Sequence, residues 1–190
     1  MTRSKSAALV VGLFLVGLAG AGSASAEDSF KWGEARGWDI MVDTTIGNGC
    51  FIYSEFRDGT ALRLGFNPNV GNAYIMVGNH DWDRIKQDGS YDITIKMDRA
   101  APWNATATGV LMNHLPLLLA TTDDPKFVRE FAKKNNIEVF YQGDSIARLS
   151  LAGTSAAIGQ MLVCQDEMNA KGGSPRSSGG DTDVKSESKD

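Results

Sequence analysis

The first half of the chain alternates apolar and polar residues at the period of a β-strand. Trp38, Ile40 and Val42 point one way in a short strand. Cys50 to Phe56 reads as a second strand, rich in aromatic and β-branched residues. Arg57-Asp58-Gly59 contains the favoured Asp-Gly turn pair. Leu62, Leu64 and Phe66 then alternate along a third strand, with Arg63 facing away from them. Asn67 to Asn69 and Gly71-Asn72 supply another turn, and Ala73 to Val77 a fourth strand. The clearest alternation sets Tyr91, Ile93, Ile95 and Met97 against Asp92, Thr94, Lys96 and Asp98, a half-buried strand with one wet face. Short links between these segments favour an antiparallel meander over strand–helix–strand repeats.

Between Gly78 and Gly89 the period changes. Trp82 and Ile85 lie three apart, so one helical turn seats both on the core. Trp103 to Ala120 is apolar, broken by Asn113, His114 and Pro116, and reads as two strands. Helical signals come late. Asp123-Asp124-Pro125 offers an acidic cap followed by proline at the first turn, Phe127, Val128 and Phe131 form an apolar stripe, and Lys133 and Lys134 suit the C-terminal end before Asn135 and Asn136. Ile137 to Tyr141 and Ile146 to Leu151 read as a hairpin around Gln142-Gly143-Asp144. After Gly153, Thr154 or Ser155 can cap a second helix, in which Ala157, Met161, Cys164 and Met168 share one face, bordered by Ile158, Leu162 and Gln165. The pattern predicts one α+β domain: a mainly antiparallel sheet, curved or two-layered, covered by two late helices.

The two ends read differently. Arg3 and Lys5, an uncharged run from Ala7 to about Ala21, and Ser23-Ala24-Ser25-Ala26 match the three parts of an export signal cut after Ala26. The competing reading is an uncleaved N-terminal anchor, for which the run is short. From Ala170 to Asp190 the chain is mostly Gly, Ser and charged residues, a composition that cannot offset the entropy of ordering it. Ser186 and Lys189 match a Ser-x-x-Lys spacing, but no strand or helix setting surrounds them. Residues 1–26 are therefore expected as a signal, 27–169 as the domain and 170–190 as a polar tail. A domain of that size builds a real core.

The signal carries Arg3 and Lys5 and no acidic residue, so its removal takes the net charge from −4 to −6. An acidic domain without basic clusters is a poor partner for nucleic acid or an anionic membrane surface. The chain holds two cysteines, Cys50 and Cys164. In an exported protein such a pair is most simply a disulfide, with a redox pair or two metal ligands as alternatives. Cys164 lies on the buried face of its helix, which is the side where Cys50 is expected.

Chemistry-bearing residues are sparse. His80, Asp81 and Asp83 are the densest ligand-type cluster, and a metal would need Asp88, Asp92 or His114 to join them. The competing reading is a capped turn. His114 sits in an apolar stretch beside Pro116, where a lone histidine is usually a hydrogen-bonded core or edge residue. No nucleophile elbow, phosphate loop, dinucleotide fingerprint or His-Glu-x-x-His occurs, and no cofactor is expected. Trp82 and Trp103, with Trp32 and Trp38, either line a binding cleft or belong to the core.

The last third carries a resemblance. Ala147 to Ile158, with Gly153-Thr154 in its middle, and the ending Cys164-Gln165 resemble the closing segment of many small exported proteins of alphaproteobacteria. Those proteins are also similar in an early cysteine-bearing strand, a turn like Trp82 to Ile85 and a pair like Pro102-Trp103, so the resemblance spans Trp38 to Gln165. The ending alone also resembles accessory proteins of type VI secretion. The resemblance implies a periplasmic or secreted domain and transfers no catalytic residues. The expectation is a non-enzymatic module that binds another envelope protein or envelope component, without membrane insertion once the signal is cut. The alternative is a hydrolase or metal-dependent enzyme with its site near His80 and His114.

Overall fold

The computed structural model describes residues 28–172. The expected signal lies outside these residues, as does the expected tail from Gly173 onward. Ten strands form one sheet: β1 (Ser29–Ala35), β2 (Trp38–Asp43), β3 (Gly49–Glu55), β4 (Ala61–Asn67), β5 (Asn72–Gly78), β6 (Ser90–Met97), β7 (Trp103–Met112), β8 (Leu115–Thr122), β9 (Asn136–Tyr141) and β10 (Asp144–Ser150). Two helices complete the described part, α1 (Pro125–Phe131) and α2 (Thr154–Gly172). The sheet order is β1-β2-β3-β4-β5-β8-β7-β6-β9-β10, and the strand pairs are antiparallel throughout. The α+β architecture with a mainly antiparallel sheet is therefore as the pattern predicts.

The first five strands meander, and the chain then leaves its neighbour. From β5 it runs through Asn79–Gly89 to β6, and the hairpin β7–β8 fills the space between. No helical turn forms in this link. Trp82 N–H donates to the Asn79 carbonyl and Ile85 N–H to the Trp82 carbonyl, which makes two successive tight turns. They still deliver Ile85 into the core and pack Trp82 against it, so the spacing of three served turns instead of a helix. The link is tied to β7 by Asp88 N–H on the Gly109 carbonyl and Gly109 N–H on the Gly89 carbonyl.

The core draws side chains from both halves of the sheet. Ile40, Ile52, Leu62 and Leu64 come from the first half, Ile95, Met97, Ile137 and Val139 from the second, and all are essentially inaccessible. Phe127 and Phe131 enter from α1, and Ala157, Ile158, Met161, Cys164 and Met168 from α2. The ends of the sheet meet: Trp38 Nε1 donates to the Ala152 carbonyl just before α2. There Gly153 sits at φ +87°, and a Cβ would run into the Arg36 backbone of the β1–β2 turn. Only glycine supplies both the left-handed conformation and the close approach.

Cys50 and Cys164 form a disulfide, with Cα atoms 6.1 Å apart. It ties β3 to α2, as the helix phase predicts. The neighbouring Gln165 reinforces the tie, since its side-chain oxygen accepts from Cys50 N–H at 2.8 Å. Two helix ends differ from expectation. Asp124 caps α1 by accepting from Lys126 N–H, but the helix stops at Phe131, so Lys133 and Lys134 lie beyond it. Thr154 does not cap α2; its hydroxyl is buried and donates to the Leu151 carbonyl. The strand β1 was not visible in the alternation at all.

Candidate functional site

The residues singled out from sequence do not converge. His80 is exposed just after β5 and lines a cleft on the outer face of the sheet. Asp81 N–H is capped by the Asn79 side chain, and Asp81 and Asp83 are exposed in the same turn. Among the described residues no three His, Cys, Asp or Glu side chains gather as a metal site. His114 is an exposed turn residue: Asn113 and His114 have φ of 49° and 66° and make the two-residue turn between β7 and β8. It does not line the cleft that takes His80, although its neighbours Met112, Asn113 and Leu115 do. Trp82 is a half-buried core residue. Trp103 packs edge-to-face on Phe127 at 5.3 Å and donates from Nε1 to Glu130, which pins α1 to the sheet.

Two concavities were not foreseen. The first is a groove of about 680 Å³ between the two helices and the β4–β5 turn. Val128 of α1, Ala132 just beyond its end, Ile158 and Leu162 of α2, and Pro68 of the β4–β5 turn line it. Leu162 is 49% exposed there, a large apolar side chain left open to water. Asn72 also lines the groove, and its Oδ1 is buried without a hydrogen-bond partner among the described residues. Such an orphan costs about 1–3 kcal/mol unless something donates to it.

The second is a trough of about 440 Å³ on the face of the sheet turned away from the core. Its centre is a cross-strand row, Asp39–Tyr53–Arg63–Met76, set by register across β2, β3, β4 and β5. Arg63 is only 7% exposed. Its Nη2 donates to Asp43 Oδ2 and its Nε to Tyr74 Oη, both at 2.6 Å. Its guanidinium stacks 3.6 Å over the Phe51 ring centroid and 5.0 Å from that of Tyr74. Gly65 leaves the room: a Cβ there would collide with Phe51 and with the Tyr74 hydroxyl.

Electrostatics follow from this packing. Burial pushes the Asp43 carboxyl up, but hydrogen bonds from Arg63 and Thr45 and the charge of Arg63 outweigh it and hold the group below its ordinary value. Burial pushes the Tyr74 hydroxyl up to about 12, against a smaller lowering by Arg63. Tyr53 is also raised, first by burial and then by the charges of Glu55 and Asp39.

The sequence held a signal for this second layer. Phe51 beside Ile52, Tyr74 beside Ile75 and Leu117 beside Leu118 are apolar at both parities, so both faces of these strands are covered. Arg63 faces away from the core, as expected, yet it faces a small second core instead of water.

No protein-family model matches the chain, and no curated protein does. Among solved structures the chain is similar in fold to the crystal structure of invasion associated protein B from Bartonella henselae. The TM-score is 0.53 at 12% identity, over 70% of this chain and 97% of that one. At that identity the likeness is one of fold.

Proposed function

We propose that the protein is an exported, non-enzymatic binding module of the cell envelope, periplasmic or secreted, which docks another envelope protein in the groove between α1 and α2. The observation that carries this reading is the groove itself. Apolar residues of both helical segments line it, and Leu162 stands exposed. A partner that places an apolar anchor against Leu162 takes that exposed apolar surface out of water. The disulfide supports an oxidising compartment. No described helix is long and apolar enough to cross a membrane.

Leu162→Glu and Val163→Glu form a matched pair of tests. The two residues are adjacent on α2 and similarly exposed, at 49% and 45%, but only Leu162 lines the groove. Crosslinking the mature protein in envelope extract should yield a discrete adduct with the wild type and with Val163→Glu. Leu162→Glu should lose it. An adduct that ignores Leu162→Glu, or no adduct with any form, refutes the docking role of the groove.

A further inference from the structure

The trough on the outer face has nothing to do with the helices, and its chemistry points to a different ligand. We propose that it binds an extended peptide segment of alternating apolar and basic residues. Shape is the first argument. Its lining runs from Ser29 on β1 to Leu117 on β8, across five strand-to-strand steps. At about 4.8 Å per step that is about 24 Å, the length of about seven extended residues. The floor is Phe51, Ala61 and Leu117, all buried, and Met41, Met76 and Met112 line it as adaptable apolar contacts.

Polar chemistry supplies the second argument. Tyr53 and Arg63 pair across β3 and β4 and both line the trough, and neither Arg63 Nη1 nor the Tyr53 hydroxyl has a hydrogen-bond partner among the described residues. The guanidinium can only donate and the hydroxyl can donate as well as accept, so a neutral acceptor at mid-length suits both. The positive charge of Arg63 is already matched by Asp43 at 2.6 Å. Asp39 and Glu55 also line the trough, and Asp39 is paired with Lys31 while Glu55 has no cationic partner among the described residues. Apart from His80 at its rim, the trough therefore offers a carboxylate or phosphate no unspent basic side chain, and Glu55 repels it. That disfavours fatty acids and anionic lipids, which the narrow apolar shape would otherwise admit. A backbone carbonyl is a neutral acceptor, and a lysine or arginine side chain complements Glu55. This surface is separate from the helix groove, so the two readings stand or fall independently.

The test uses the mature, disulfide-bonded protein and three probes: a fluorescent heptapeptide alternating lysine and leucine, its glutamate–leucine counterpart, and palmitate. The lysine–leucine peptide should bind saturably by anisotropy, about tenfold or more tighter than the acidic peptide, and palmitate should not displace it. Glu55→Gln should weaken binding by about two- to fivefold. Met76→Lys, and Met112→Lys at a more exposed position that tolerates change, should each weaken it about tenfold. Leu162→Glu should leave it unchanged. Equal or tighter binding of the acidic peptide or palmitate, indifference to both methionine variants, or no binding of any probe overturns the proposal.

Discussion

Replacing the disulfide by two alanines, Cys50→Ala with Cys164→Ala, should lower the melting temperature by about 16 °C or more. The bridge spans a sequence separation of 114 and encloses every strand from β3 to β10. Opening a loop of that size returns chain entropy to the unfolded state worth about 4.8 kcal/mol at 25 °C. Unfolding residues 28–172 at about 2.1 cal/mol/K each gives an entropy of about 0.3 kcal/mol/K, and the quotient is about 16 °C. Both cysteines are fully buried, so the packing lost with the two sulfur atoms adds to this entropic loss and makes about 16 °C a lower bound. Differential scanning calorimetry on the oxidised wild type and the double variant measures the shift. Ellman titration in denaturant without reductant confirms the starting state by finding no reactive thiol in the wild type. A single transition lowered by less than about 5 °C would refute the entropic reasoning. Two separated transitions would show that α2 melts away from an intact sheet, and that the bridge holds a helix instead of the whole domain.

Three further outcomes follow from the buried polar cluster and the sheet ends. Arg63→Met leaves Asp43 buried and unpaired and should cost about 3–5 kcal/mol in urea unfolding, whereas adding Asp43→Leu should recover most of the loss. If the single variant is as stable as the wild type, the pair contributes nothing. Asp43 has a folded value below its ordinary 3.8, so its contribution is complete above that pH and is lost on further acidification; Tyr74 has a folded value raised from 10.0 to about 12, so stability falls as pH climbs through that interval. Melts across both windows check this, and a flat alkaline limb would contradict the burial of Tyr74. Gly153→Ala forces φ +87° on a residue with a Cβ that meets Arg36, and should cost about 1–3 kcal/mol; an unchanged melting temperature would mean that the β10–α2 turn yields freely.

Legibility in the sequence tracked how directly a residue's neighbours in the chain decide its place. Alternation in Tyr91 to Met97 located β6 because one face is wet and the other buried. The phase of α2 located the disulfide for the same reason. β1 escaped because a bulge between Lys31 and Gly33 breaks its period at Trp32, and because an edge strand needs less burial. The sheet order escaped because β5 pairs with β8, and no local pattern says that a later hairpin will insert there. Neither concavity was read for a related reason: each is assembled from segments far apart in sequence. Leu162 reads as the border of a stripe until α1 is placed opposite it. Arg63 reads as solvent-facing until Phe51, Tyr74 and Asp43 are brought around it by strands on either side.

The two concavities also differ in what holds them, and this makes their redox sensitivity different. The groove borrows one wall from α2, and that wall is fixed to the sheet within one turn of Leu162 by Cys164 and by Gln165 on Cys50 N–H. The trough is lined by strands and their turns alone, and Arg63 of β4 is held by Tyr74 on the adjacent β5 and by Asp43 on β2, one strand further off. Loss of the bridge therefore loosens the groove wall first, while the row Asp39–Tyr53–Arg63–Met76 keeps its register as long as the sheet survives. Below its lowered melting point, the double alanine variant should lose the Leu162-dependent adduct and keep the lysine–leucine peptide. On the proposed reading the helix groove is presented fully only after oxidation, so the same crosslinking run on reduced protein should also lose the Leu162-dependent adduct.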